Sequence, residues 1–299
     1  MTIFPRRYLS ISVKSSNNLN IKSITSSSSS LSWLRREKVF QYDTQKYPFV
    51  ECAREILEIE AGSPLPSSLG DLHTVPGGSE QYTDGSGNKM NRLQAVWNSN
   101  RCRDNELYKT NVTASYERLD DVYHHFVKEI IGPLLGGGRI LYQRSPTLRI
   151  YNPSTVAMGK CHNDCDYHHQ PSELNFWLPL CPVFSTNSLW AESVPDLGDF
   201  HPFDMSPGEY VRFYGNKCRH MTFPNDTGKT RVSLDFRAVS DQSGGHDPLF
   251  HKGIRRGVKA RFQNVFDIGG FYVECQSDRL PEEEWHSMIH AADSDITQN

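Results

Sequence analysis

The spacing of apolar residues changes along the chain. Val50, Ala53, Ile56 and Leu57 recur at helical spacing, and Gly62, Pro64 and Pro66 stop the run, which predicts a mostly helical segment over 33–61. Residues 62–90 are rich in Gly, Ser, Pro and Asp and predict a long loop. Leu119, Val122, Phe126 and Ile130 form one stripe of a helix predicted over Glu106–Leu135, ended by Gly136–Gly138. After Gly138 the texture becomes short β-rich pieces separated by turn residues. The predicted strands are Arg139–Gln143, Thr147–Tyr151, Glu173–Leu180, Asn187–Glu192, Gly208–Tyr214, Arg219–Phe223 and Thr230–Val239. Closely spaced short strands predict a sandwich or barrel. Beyond Val239 the chain reads as loop, with one helix near Glu282–His290.

These changes divide the chain into residues 1–36, a helical and loop region 37–138, a β core 139–240 and a C-terminal extension 241–299. The last predicted strand has two unlike faces. Val232, Leu234, Phe236 and Ala238 lie on one, and Arg231, Ser233, Asp235 and Arg237 on the other. Buried charge needs partners, so the second face must be solvated or line a cavity.

Composition narrows the function. The 299 residues carry a net charge of −3, without the basic stripe of a nucleic-acid binder. No apolar run approaches the roughly 18 residues needed to cross a bilayer. The charge is uneven: no acid precedes Glu37, while Arg6, Arg7, Lys14, Lys22, Arg35, Arg36 and the serines Ser26–Ser30 fall before it. That is the composition of a transit peptide, with the mitochondrion as the expected destination and plastid or cytoplasm as alternatives. The 7 cysteines, odd in number and without a secretory signal before them, are expected as reduced thiols.

Candidate chemistry lies in the β-rich part. In His162-Asn163-Asp164 an extended backbone would turn the imidazole and the carboxylate to one side. With His220 they make a two-His, one-carboxylate set, which leaves open positions on Fe(II). Arg231 and Ser233 offer a fork and a hydroxyl to one carboxylate. A 2-oxo acid could then chelate iron at one end and meet Arg231 at the other, with O2 completing the set. Two alternatives stay open: a hydrogen-bonded surface pair at His162 and Asp164, and a zinc site drawn from Cys161, His162, Cys165, His168, His169 and Cys181. His168 and His169 are expected to support the site, Trp177 and Trp190 to be core residues, and Arg149 and Arg237 to bind an anion or pair with Asp235.

From about Ser145 to Val239 the chain resembles Fe(II)/2-oxoglutarate-dependent dioxygenases, most of all the StrG-type branch of streptomycin biosynthesis, near the phytanoyl-CoA hydroxylase-like enzymes. The resemblance rests on His162-x-Asp164, Tyr167-His168-His169, Glu173–Leu180, Asn187-Ser188-Leu189-Trp190, Arg212–Asn216, His220, Asn225 and Thr230–Ser233. It implies a mainly β fold with flanking helices, a double-stranded β-helix (jelly roll, cupin-like). It further implies His162, Asp164 and His220 as iron ligands, Arg231 as the 2-oxoglutarate anchor assisted by Ser233, and Tyr151 and Trp177 lining the co-substrate pocket. The implied activity is hydroxylation of a small-molecule substrate with release of succinate and CO2. A non-catalytic jelly-roll binding protein and a cupin-like metalloenzyme of another reaction type are the alternatives. No nucleic-acid or membrane partner is expected.

Overall fold

The computed structural model describes residues 34–83, 87, 89–100, 114–167, 169–240, 268–285 and 287. In chain order its elements are β1 (Lys38–Gln41), α1 (Phe49–Ala61), β2 (Gln81–Thr83), β3 (Lys89–Asn91), α2 (Arg92–Asn100) and α3 (Ala114–Phe126). There follow β4 (Gly138–Gln143), β5 (Thr147–Tyr151), β6 (Leu174–Pro179), β7 (Trp190–Ala191), β8 (His201–Pro202), β9 (Glu209–Phe213), β10 (His220–Met221), β11 (Arg231–Ser240) and β12 (Tyr272–Ser277).

Strand β11 sits inside a 7-stranded sheet of order β1-β9-β6-β11-β4-β12, in which β5 also pairs with β11. Its neighbours are all antiparallel. β6 runs along one side, and β5 (against Arg231–Asp235) then β4 (against Ala238–Ser240) along the other. A smaller sheet, β10-β7-β8, supplies the opposing layer. The result is a mainly β jelly roll with flanking helices.

The two faces of β11 explain the layering. Val232, Leu234, Phe236 and Ala238 are all fully buried and join one cluster with Ile56 and Leu57 of α1 and Leu119, Tyr123 and Phe126 of α3. The rings of Tyr123 and Phe236 meet edge-on at 5.0 Å, and Phe176 stacks on Phe236 at 5.2 Å. Burying each such side chain contributes roughly 1.5–3 kcal/mol, and the helices are held to the sheet by this packing. With that face covered, the polar face of β11 looks toward the smaller sheet.

Several sequence expectations need correction. The segment 33–61 is not helical throughout: β1 forms the edge of the main sheet, pairing Lys38–Gln41 with Arg212–Glu209. Phe40 stacks on Tyr210 at 5.2 Å on the helix side, and Val39 packs on the inner side, an alternation too short to read unaided. The predicted loop 62–90 contains a 3-10 turn, Leu69–Thr74, and the β2–β3 hairpin. Of Asn187–Glu192 only Trp190–Ala191 is strand, because Ser185–Asn187 coils into a 3-10 turn. Of Arg219–Phe223 only His220–Met221 is strand.

The predicted helix ending at Leu135 is seen from Ala114, and it passes into a π turn at Val127–Ile131. Gly136, Gly137 and Gly138 then turn the chain into β4 with φ of 94°, 67° and 81°, a run that side-chain-bearing residues would resist. Strand β12, in the stretch expected to be loop, extends the sheet beyond β4. The predicted helix at Glu282–His290 is helical over 282–285. Residues 1–33, 101–113 and 241–267 lie outside the described residues, and with them the expected transit segment up to Ser32–Trp33, the start of the Glu106 helix and most of the C-terminal extension. Among the described residues no helix is long and apolar enough to cross a membrane.

Candidate active site

His162, Asp164 and His220 converge although they come from different elements. His162 and His220 form an isolated antiparallel bridge, each backbone N–H donating to the other's carbonyl at 3.2 and 2.8 Å. This brings the two imidazole centroids to 4.4 Å. Asp164 is not on an extended segment as expected, since it opens a 3-10 turn, Asp164–Tyr167. The turn carries its carboxylate beneath the histidines, with Oδ1 3.5 Å from His220 Nε2 and 3.9 Å from His162 Nε2. One ligand atom from each residue lies within 4.8 Å of the others.

The neighbours of these groups prepare them to donate. His162 Nδ1 bonds the Lys160 carbonyl at 2.7 Å, and His220 Nδ1 bonds the Cys218 carbonyl at 3.1 Å. A carbonyl can only accept, so each ring carries its proton on Nδ1 and presents a bare Nε2. Burial, then the neighbouring His220, pushes the His162 pKa down and favours the neutral ring. Asp164 is 2% exposed. Its Oδ2 accepts from Asn175 Nδ2 at 2.6 Å and Arg237 Nε at 2.8 Å. Burial raises the Asp164 pKa, but the Arg237 guanidinium leads the influences that outweigh it and hold the carboxyl well below the usual carboxylate range. With Oδ2 occupied, Oδ1 faces the histidines as a single anionic donor.

The Arg212–Asn216 stretch fixes this arrangement from behind. The Asp164 N–H donates to the Gly215 carbonyl at 2.8 Å. Asn216 Nδ2 donates to the carbonyls of His169 and Gln170 at 3.1 and 3.0 Å. A Cβ at position 215 would lie 2.7 Å from the Asn175 side chain, so glycine leaves room for the donor that holds Asp164. His169 Nδ1 bonds Glu173 at 2.8 Å, and Glu173 also accepts from the Tyr272 hydroxyl. Across the opposing sheet, Glu192 is buried and accepts from the backbone N–H of Arg219 at 2.8 Å, fixing the residue next to His220.

The other end of the β11 inner face differs. Arg231 is 3% exposed; Nη1 reaches only the Asn187 carbonyl at 3.3 Å, and Nε has no partner. The guanidinium lies 5.3 Å from the Tyr151 ring centroid and 6.0 Å from that of Trp177. Among the described residues no carboxylate pairs with it. Burial pushes its pKa down to about 10. Ser233 accepts the Trp177 indole N–H at 3.1 Å and keeps its own hydroxyl proton to donate. Asn225 Nδ2, bonded to the Lys229 and Tyr151 carbonyls at 2.8 and 3.3 Å, fixes the turn leading into Arg231.

No family model matches the chain. The streptomycin biosynthesis protein StrG of Streptomyces griseus is 32% identical over 155 residues, covering 51% of this chain and 72% of that protein. The chain belongs to the StrG family. Among solved structures, the non-heme monooxygenase ThoJ–Ni complex aligns over 61% of this chain and 74% of its own at 16% identity and a TM-score of 0.34. The non-heme alpha ketoglutarate dependent epimerase SnoN from nogalamycin biosynthesis aligns over 71% and 80% at 11% identity and a TM-score of 0.41.

In this member of the StrG family the seven candidate residues fall on one inner surface. His162, Asp164 and His220 gather at one end, and Arg231, Ser233, Tyr151 and Trp177 at the other. Among the described residues the zinc alternative finds no set of ligands of its own, and the triad is the one metal-competent group there. Cys161 is exposed, Cys165 Sγ contacts Asn163, and Cys181 Sγ faces the Thr230 carbonyl. His168 lies outside the described residues. Trp177 is buried as expected but faces the site, while Trp190 is half-buried at the second sheet. Arg149 and Arg237 both meet Asp235, at 2.8 and 3.5 Å, but the bond from Arg237 to Asp164 was not foreseen, and Asn175 was read only as part of a strand. A polar residue in the otherwise apolar run Leu174–Leu178 was the available signal for Asn175.

Proposed function

We propose that the protein is an Fe(II)- and 2-oxoglutarate-dependent dioxygenase that hydroxylates a small molecule. The observation that carries this reading is Arg231: a buried cation that no carboxylate among the described residues pairs with, on the strand face that looks toward a two-His, one-carboxylate set. The donor set fits Fe(II), because two imidazole nitrogens and a monodentate carboxylate leave open positions for other ligands. The orphaned guanidinium fits a dicarboxylic co-substrate, because an unpaired buried charge is costly until an anion arrives.

In this reading His162 Nε2, His220 Nε2 and Asp164 Oδ1 hold the metal. When bound, iron with 2-oxoglutarate and O2 supplies oxidative decarboxylation to succinate and CO2 and oxidation of a substrate C–H bond. Arg237 and Asn175 keep Asp164 ionised and turned toward the metal. Arg231 receives the distal carboxylate of the co-substrate, and Ser233 donates its proton to the same group. Tyr151 and Trp177 wall this pocket and exclude water, which strengthens the ion pair. The test is succinate formation from 2-oxoglutarate by the full chain with Fe(II) and O2. Release dependent on both iron and Arg231 is expected, and its absence across a metabolite screen would remove the reading.

A further inference from the structure

One cation of the inner surface has no part in the roles assigned above. Arg149 stands opposite Ser233 in the β5–β11 register, which brings its side chain up beside the Arg231–Ser233 pair. Its Nε donates to Asp235 Oδ1 at 2.8 Å. That single bond fixes the guanidinium plane, while Nη1 and Nη2 make no hydrogen bond among the described residues. The side chain is 42% exposed, against 16% for Asp235, so an anion from solvent can reach it. After burial, its charge is the next influence lowering the Arg231 pKa. Asp235 in turn meets Arg237 at 3.5 Å, and Arg237 bonds Asp164 at 2.8 Å, so Arg149 lies between the co-substrate anchor and the metal ligands.

A guanidinium held by one nitrogen presents its remaining edge as a two-pronged donor, the geometry that suits an oxyanion. The co-substrate has no need of this edge, since Arg231 and Ser233 take its distal carboxylate and the metal takes its other end. We propose that Arg149 is the recognition point for an anionic group of the primary substrate, a carboxylate, sulfate or phosphate, and so determines specificity. The inference rests on the dioxygenase reading and gives it a substrate class.

The probe is inorganic sulfate, titrated calorimetrically into the full chain loaded with Fe(II) and saturated with 2-oxoglutarate without O2. Wild-type protein is expected to bind sulfate saturably. Arg149→Gln should weaken it by roughly ten- to hundredfold, the worth of a hydrogen bond to a charged group. Arg149→Lys should fall between, because a point charge keeps the attraction and loses the fork. In Arg149→Gln the 2-oxoglutarate Kd should move by less than about threefold, well short of the Arg231 effect. Absence of sulfate binding by the wild type, or equal binding by Arg149→Gln, overturns the proposal. So does a loss of 2-oxoglutarate affinity as large as that in Arg231→Ala, which would assign Arg149 to the co-substrate. If the iron-loaded wild type binds no 2-oxoglutarate, the dioxygenase reading falls. The sulfate titration without 2-oxoglutarate, compared between wild type and Arg149→Gln, then still decides whether this edge receives an anion.

Discussion

Arg237 and Arg231 lie on the same face of β11, and both are buried, at 9% and 3% exposure. Burial pushes both pKa values down. For Arg237 the carboxylates Asp164 and Asp235 outweigh burial, and its pKa rises above the ordinary arginine value. For Arg231 burial dominates and the value falls to about 10. The difference separates a charge that completes a structure from one that awaits a partner. At the Arg237 end a guanidinium Nε and an amide Nδ2 donate to one oxygen of Asp164 and leave the other for a metal. At the Arg231 end two aromatic rings and a hydroxyl surround a cation that no acid among the described residues pairs with, a surface suited to an anion.

The comparison breaks most visibly at the metal end. His220→Ala or Asp164→Ala should leave the metal weakly held and abolish succinate release, because one of three protein donors is gone. Metal analysis of purified protein beside the turnover assay measures both. Bound zinc that survives these substitutions would refute the assignment of the triad.

The next effect is at Arg231. Arg231→Ala should weaken 2-oxoglutarate by roughly 30- to several-thousand-fold, the cost of about 2–5 kcal/mol for truncating a buried charged pair. Ligand-free protein should respond in the opposite sense. The folded pKa of about 10 lies below the ordinary 12.5, so the unfolded chain binds the proton more tightly. Folding therefore bears a cost of about 3 kcal/mol at neutral pH, fully present below pH 10 and relieved as pH rises toward 12.5. Arg231→Met, apolar and of similar length, should raise the denaturant midpoint of the ligand-free protein while losing 2-oxoglutarate. An unchanged or lower midpoint would mean that Arg231 is already paired.

Smaller effects sharpen the account of the Asp164 clamp. Arg237→Gln should weaken Fe(II) by about 10- to 100-fold without removing a ligand, as measured by competition against a metal indicator. Asn175→Ala should cost less, because Arg237 remains on Oδ2. Gly215→Ala should act through Asn175, since the new Cβ would fall 2.7 Å from that side chain. A few-fold loss of metal affinity is expected, and it should vanish in the Asn175→Ala background.

Much of this was legible in the sequence because alternation and chemistry coincided. Thr147–Tyr151 forms over the residues predicted, and β11 shows the two faces read from its alternation. The ligands could be named because His-x-Asp, a later His and an Arg-x-Ser strand are types that have no easy structural explanation together. What the sequence withheld depends on distant partners. β1 and β12 are short edge strands, with weak patterns that become strands only against β9 and β4. Asp164 reaches the histidines through a 3-10 turn stabilised by the Gly215 carbonyl, a contact that spacing cannot reveal. The difference between Arg231 and Arg237, identical residues on one strand face, is set by which acids other elements bring to them.

The most direct test of the two-ended site is 2-oxoglutarate titration of Fe(II)-loaded protein without O2, followed by its metal-to-ligand charge-transfer absorption, in wild type and Arg231→Met with bound iron measured in the same samples. Equal iron in the two proteins, saturable binding in wild type and binding weakened by at least about 30-fold in Arg231→Met are expected. Equal 2-oxoglutarate affinity in both would contradict the claim that the unpaired arginine awaits the co-substrate.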